Sequence, residues 1–236
     1  KSTRLGGETP IDLDGDSWGV GWNVGLNWQA TPRLSLAALY RSEVKQTVEG
    51  DVNLYGGLGQ IATRGQGSIH LPESYTFGVG YRFSDRTRVE FNAIKTMWSS
   101  YKDLTINVAV PQPYQAMFGG LAAYPYNEPK NWRDGWRYQF GVEHKVNDKW
   151  TIRAGFVYDD CSSRNPDDAD FMVPTGTRRT YTVGASCRVK NAEYSLGYGY
   201  MDVGDKRING AGEHLEDAST RGCYAHIISI GACIDL

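Results

Sequence analysis

Residues 136–146, WRYQFGVEHKV, alternate strictly between two chemical characters. Trp136, Tyr138, Phe140, Val142, His144 and Val146 fall on one side, and Arg137, Gln139, Gly141, Glu143 and Lys145 on the other. Extended backbone shows successive side chains to opposite faces, so the stretch predicts a β-strand with one apolar and one charged face. In a soluble sandwich the apolar face would be core and the charged face would meet water. In a membrane barrel the apolar face would meet lipid and the charged face a lumen.

The pattern recurs along the chain. WGVGWNVGLNW (18–28) sets Trp18, Val20, Trp22, Val24, Leu26 and Trp28 against Gly and Asn. RLSLAALYRSEV, YTFGVGYRF, RVEFNAIKTMW, WTIRAGFVYDD, TYTVGASCRV, EYSLGYGYM and CYAHIISIGACIDL follow, which with the opening stretch makes nine predicted strands. Short turns at ATPR, FSDRT, VNDKW and VKNAE alternate with long connections near 46–67, 103–133, 160–178 and 202–220. An up-and-down transmembrane barrel sorts its connections this way, whereas a Greek-key sandwich does not. A closed structure would also place Arg41, Glu43, Arg137, Glu143, Lys145 and Arg153 together inside. That is costly in a dry core and tolerable in a wet lumen. The expected fold class is therefore all-β, an antiparallel up-and-down transmembrane β-barrel.

Composition agrees. No run approaches the roughly 20 apolar residues of a membrane helix, while 28 Gly, 15 Tyr and 7 Trp suit turns, inward positions and headgroup belts. The net charge of −2 gives no pull toward nucleic acid. Cys161, Cys187, Cys223 and Cys233 form no CxxC motif and read as unpaired thiols. Residues 1–15 offer no strand pattern. Nine strands would leave the two ends on opposite sides of the membrane, and bacterial barrels have even strand numbers. Residues 1–236 are thus expected to be the C-terminal part of a larger barrel, a single unit whose first strands lie upstream.

GDSWGVGWNVGLNW (15–28), LYRSEV (39–44), LPESYTFGVGYRF (71–83), TMWSSY (96–101), residues 132–160 and VPTGTRRTYTVGASCRV (173–189) resemble, in order and spacing, the outer-membrane transporters of long-chain fatty acids. That family also takes up toluene and other hydrophobic compounds. The resemblance implies a fourteen-stranded barrel in the outer membrane of a Gram-negative bacterium, plugged by an N-terminal hatch and releasing substrate sideways at a kinked strand. Neither the hatch nor the kinked strand lies in this sequence.

Fatty-acid passage needs an apolar surface for the tail and a cation for the carboxylate. Leu54, Tyr55, Leu58 and Ile61 sit in a long connection that, by the resemblance, helps form an external capture groove; alternatively they pack that loop on its neighbour. Met117 and Phe118, in a still more apolar connection, either cap the barrel or line the ligand path. For the carboxylate the candidates are Lys130, Arg137 and Arg153, because cations at a strand start or on the lumen face can bind it, a guanidinium bidentately. The family's ligand-holding basic position aligns with Glu128, near Lys130. The same arginines could instead pair with neighbours such as Glu143, as Arg41 could with Glu43.

DLDGDSWG has its glycine misplaced for a calcium loop. The acidic residues Asp159, Asp160, Asp167, Asp168 and Asp170 read as a solvated rim more than a Ca²⁺ site. His70, His144, His214 and His226 are scattered, and no Ser-His-acid spacing stands out. The expectation is passive transport by a monomer in contact with outer-membrane lipid. No catalytic residue, metal or cofactor is expected. A general diffusion porin and a barrel-embedded lipase are the rival readings.

Overall fold

A computed structural model describes residues 2–5, 9–56, 59–163, 176–208 and 218–234. Nine strands form one antiparallel sheet whose spatial order repeats chain order. They are β3 (Asn23–Gln29), β4 (Leu34–Arg41), β7 (Ser74–Arg82), β8 (Thr87–Thr96), β11 (Gly135–Lys145), β12 (Trp150–Asp159), β13 (Arg178–Val189), β14 (Ala192–Val203) and β17 (Cys223–Ile234). Their number and sequence positions match the nine expected, apart from shifts at the ends. This sheet is the wall. Most wall strands reach the roughly 9–11 residues a tilted strand needs to cross hydrocarbon.

The wall is turned inside out relative to a soluble protein. Its apolar face carries Phe140, Ile152, Val183 and Ile230, between 48% and 85% exposed, and none of these packs into an interior. The opposite face carries Arg88, Glu90, Glu143, Arg153 and Glu193; Arg153 bridges Glu143 and Glu193 across strands, and Arg88 pairs with Glu90 along β8. Register decides the pairing. Arg137 stands opposite Asp159 and Glu143 opposite Arg153, so the expected Arg137–Glu143 and Arg41–Glu43 pairs are replaced. Arg137 and Glu143 lie six residues apart on one strand, about 20 Å. Glu43 takes His70 instead, at 2.8 Å.

Aromatic rings mark the two ends of the apolar band. Trp28 and Trp150 lie beside the short turns, while Trp22, Tyr40 and Tyr75 stack in a row at the other end, with centroids 5.0 and 5.1 Å apart. Rings with a polar edge favour the headgroup level on each side of a bilayer. Three short turns share one device. A side-chain oxygen of Thr31, Ser84 or Asn147 accepts the N–H groups two and three residues on, at 2.9–3.2 Å. The fourth turn, after Val189, places Lys190 at φ 56.

The long connections hold the main surprise. Six strands form a second meander: β1 (Ser2–Leu5), β2 (Thr9–Trp18), β5 (Val44–Gly56), β6 (Gly59–Leu71), β9 (Asp103–Ala109) and β10 (Ala123–Pro129). The strands in residues 1–15, where no pattern was expected, belong to it. So does Trp18, which ends β2, with residues 19–22 breaking the expected strand 18–28 in two. From β2 onward its order copies that of the wall, because five wall strands continue into it past short interruptions. Val52, Leu104, Val108 and Val110 are buried there. Most of the buried apolar side chains among the described residues therefore lie beyond the wall. A third, two-stranded ribbon joins β15 (Lys206–Ile208) to β16 (Ala218–Thr220).

An arginine at Val183, central on the lipid-facing side, is expected to cost about 2–4 kcal/mol of folding free energy. Gln139→Arg on the lumen face is expected to change stability by about 0.5 kcal/mol or less. Denaturant midpoints for refolding into lipid vesicles test the contrast; equal costs would mean the apolar face does not meet hydrocarbon.

Candidate functional site

The interruptions between wall and outer sheet fall at one level: residues 19–22, 42–43, 72–73, 97–102 and 130–134. Irregular backbone must still satisfy its polar groups, and here neighbouring interruptions bond to one another. Trp22 donates its N–H to Ser42 Oγ at 2.9 Å, and Ser42 returns its own to the Trp22 carbonyl. The Met97 N–H reaches the Glu73 carbonyl, that of Lys130 the Lys102 carbonyl, and that of Arg133 the Ser162 carbonyl, at 2.8–3.0 Å. Asn131 takes φ 45, which asparagine tolerates, between Lys130 and Trp132, both buried.

At this level a cavity of ≈ 340 Å³ opens on the inner side of the wall. Its apolar wall comprises Ile69 and Leu71 from the end of β6, Ile94 from β8, and Trp98, Tyr101 and Trp132 from the interruptions. The three aromatic rings meet edge-on, at 5.1 and 5.5 Å between centroids. Edge-to-face contact of this kind fixes ring orientation beyond simple burial.

The polar end of the cavity holds Arg137, Asp159 and Arg178. Each guanidinium donates to Asp159 Oδ2, Arg137 at 2.9 Å and Arg178 at 2.7 Å. Asp159 is largely shielded, whereas the two arginines remain roughly 40% exposed at 44% and 37%. Two cations share one carboxylate, and Asp160 also lines the cavity, so the guanidinium groups offer donors beside an apolar wall without giving the cavity a net positive charge. An amphipathic anion meets complementary surfaces for both of its ends. The role of Asp159 is thus to hold arginines, and among the described residues no cluster of three or more acidic, His or Cys side chains could hold a metal. Asp167, Asp168, Asp170 and His214 lie outside the described residues.

The expected ligand residues are not all brought together. Arg137 lines the cavity. Lys130 sits in the adjoining interruption, 2% exposed. Arg153 lies six residues from Asp159 along β12, about 20 Å toward the short turns. There it borders a separate inner-face trough of ≈ 500 Å³ and binds Glu143 at 2.7 Å, Ser186 Oγ at 3.0 Å and Glu193 at 3.6 Å. Leu54 and Ile61 are register partners near the tip of the β5–β6 hairpin. Ile61 is eight residues from Ile69, about 26 Å from the cavity. Tyr55 pairs with Gln60 beside them, and Leu58 lies outside the described residues. Met117 and Phe118 end a 3₁₀ turn, Gln112–Phe118, closed by Gly119 at φ 65. Sequence reading missed Arg178, Trp98, Tyr101 and Trp132 as site residues. TMWSSY and NWRDGW, two aromatic clusters at strand boundaries, were the available signal for the three rings.

Residues 4–227 match the family described as outer membrane protein transport protein (OMPP1/FadL/TodX). The long-chain fatty acid transport protein of Escherichia coli is 26% identical over 84% of this chain and 45% of its own length. A 47 kDa outer membrane protein of Pasteurella multocida is 26% identical over 80% of this chain and 45% of its own length. The chain thus spans about half the length of these relatives. Among solved structures, a FadL homologue of Pseudomonas aeruginosa superposes with a TM-score of 0.76 at 23% identity, over 90% of this chain and 51% of that one. The toluene transporter TbuX of Ralstonia pickettii gives 0.64 at 22%, over 95% and 49%. These likenesses establish the fold. An exposed apolar wall, a charged inner face and a family match along nearly the whole chain lead to one conclusion: this protein belongs to the OMPP1/FadL/TodX family and resides in the outer membrane.

Proposed function

We propose that the protein carries long-chain fatty acids or other hydrophobic compounds passively across the outer membrane. Ligand is captured at the extracellular loops, held in the cavity below them and released through the barrel wall. The observation that supports this most is the meeting of the Trp98–Tyr101–Trp132 wall with the Arg137–Asp159–Arg178 group in one cavity. Burial of a tail contributes about 0.8 kcal/mol per CH₂, so an apolar gradient suffices and no cofactor or nucleotide is needed. Lys130 and Arg153 are further contacts on the route, and Leu54, Tyr55, Leu58, Ile61, Met117 and Phe118 belong to its outer approach. The partners on this reading are the hydrophobic ligand and outer-membrane lipid, with the protein acting as a monomer and not as an enzyme.

The edges of the wall bear on its architecture. β3 and β17 are its outermost strands. An open edge in hydrocarbon leaves backbone donors and acceptors without partners, which is untenable. We read the nine strands as the C-terminal part of a fourteen-stranded barrel.

Labelled fatty-acid uptake by cells lacking their own transporter tests the function. Passage of small sugars without fatty-acid uptake would favour a diffusion porin, and acyl release dependent on one serine would favour a lipase. Arg137→Ala is expected to weaken carboxylate binding by about 1.5–3 kcal/mol, on the order of tenfold or more in Kd. Binding of an uncharged hydrocarbon of equal length should hardly change. Asp159→Asn, which releases both guanidinium groups, is expected to tighten carboxylate binding. Calorimetric titration with the acid and with the hydrocarbon reads both effects; equal losses for the two ligands would remove the arginine group from the binding site.

A further inference from the structure

The cavity borders a pair of groups that carboxylate binding leaves unused. Cys161 follows β12 and is one of the residues that line the cavity. Lys206 opens β15, is 7% exposed, and directs its ammonium at the Cys161 sulfur, 3.8 Å away. Among the described residues this sulfur is the one polar contact made by the ammonium. A buried ammonium ordinarily faces a carboxylate, because an uncompensated charge out of water is costly. Here it faces a thiol. The S–H donates to the Ser163 carbonyl at 3.3 Å, which leaves sulfur lone pairs for the ammonium. Cys223 and Cys233 are exposed, and Cys187 lies on the lipid-facing side of β13. None of these three has a cationic partner among the described residues.

We propose that Cys161 is a covalent modification site for hydrophobic electrophiles that enter the cavity, of the class of α,β-unsaturated aldehydes and ketones. The thiolate is the form of cysteine that attacks such a carbon. The S–H proton passes to water as sulfur forms a C–S bond to the β-carbon. The π pair of the C=C bond moves toward the carbonyl as an enolate, and the α-carbon then takes a proton from water. The net change is addition of S–H across the double bond, with no oxidant or cofactor. Lys206 is a positioning residue, its charge lying where negative charge develops on sulfur. Trp98, Tyr101 and Trp132 gather an apolar enal beside the thiol, and the thioether product occupies the cavity.

The detergent-solubilised protein, exposed to nonenal or to a sulfonated maleimide and mapped by peptide mass spectrometry, tests this. Nonenal is expected to label Cys161 at least about tenfold faster than Cys223, whereas the charged maleimide should prefer the exposed Cys223. Lys206→Met should slow nonenal addition at Cys161 about tenfold and leave Cys223 unchanged, with Lys206→Arg restoring the rate. Cys161 reacting no faster than Cys223, or at an unchanged rate in Lys206→Met, would overturn the proposal. The comparison between the two cysteines in the unmutated protein decides even if Lys206→Met fails to fold.

Discussion

Hydrocarbon offers a peptide group nothing to bond with, and the wall is built around that fact. Every backbone donor and acceptor at membrane depth must be met by a neighbouring strand, which a continuous antiparallel meander achieves everywhere but at its two edge strands. Once the ladders carry the backbone, side chains are free to invert the usual arrangement, with Phe140, Ile152 and Val183 turned outward and the ions inward. The fold therefore gains little from a buried core of its own. Apolar burial is supplied by lipid on one face, and cross-strand ion pairs in a wet interior align the other.

The same constraint explains where the cavity lies. Strand regularity is compulsory in hydrocarbon and optional beyond it. Five wall strands break at one level and resume as an outer sheet. At that level the aromatic row of Trp22, Tyr40 and Tyr75 indicates the change of medium on the outside. On the inside, the breaks turn Trp98, Tyr101 and Trp132 away from the ladder and into contact with one another. Bonds between adjacent breaks, such as the Lys130 N–H to the Lys102 carbonyl, keep this irregular belt from being a loose one.

Period-two patterning made the wall legible in the sequence, since each lipid-facing strand repeats the same contrast between apolar and polar residues. The outer sheet was harder to read. In β5, Val48, Val52 and Leu54 do alternate with Glu49, Asp51 and Asn53, but two glycines and a charged face gave the stretch the composition of a solvated loop. The arginine group was legible only in part. Arg137 could be assigned to the lumen by parity, whereas its partner required knowing that β11 and β12 set it opposite Asp159. Arg178 comes from a third strand, and no local pattern announces a three-strand meeting. Register is fixed by turns and by the apolar pattern of every strand together, so such constellations appear only once the sheet is assembled.

Asp159 gives the cavity a character that a bare cation pair would lack. Two unpaired guanidinium groups beside an apolar wall would bind a fatty carboxylate tightly and release it slowly, because affinity among related complexes is tuned mainly through dissociation. A resident carboxylate accepting from both arginines keeps them aligned, lowers their mutual repulsion and competes with the ligand for the same donors. On the proposed reading, capture then depends on the apolar tail, whose contribution grows with length, while the head group exchanges one carboxylate for another at small net cost. A passive carrier works only if its site is emptied as readily as it is filled. Pairing the cations in advance achieves this without weakening the hydrophobic contacts that distinguish a lipid from water.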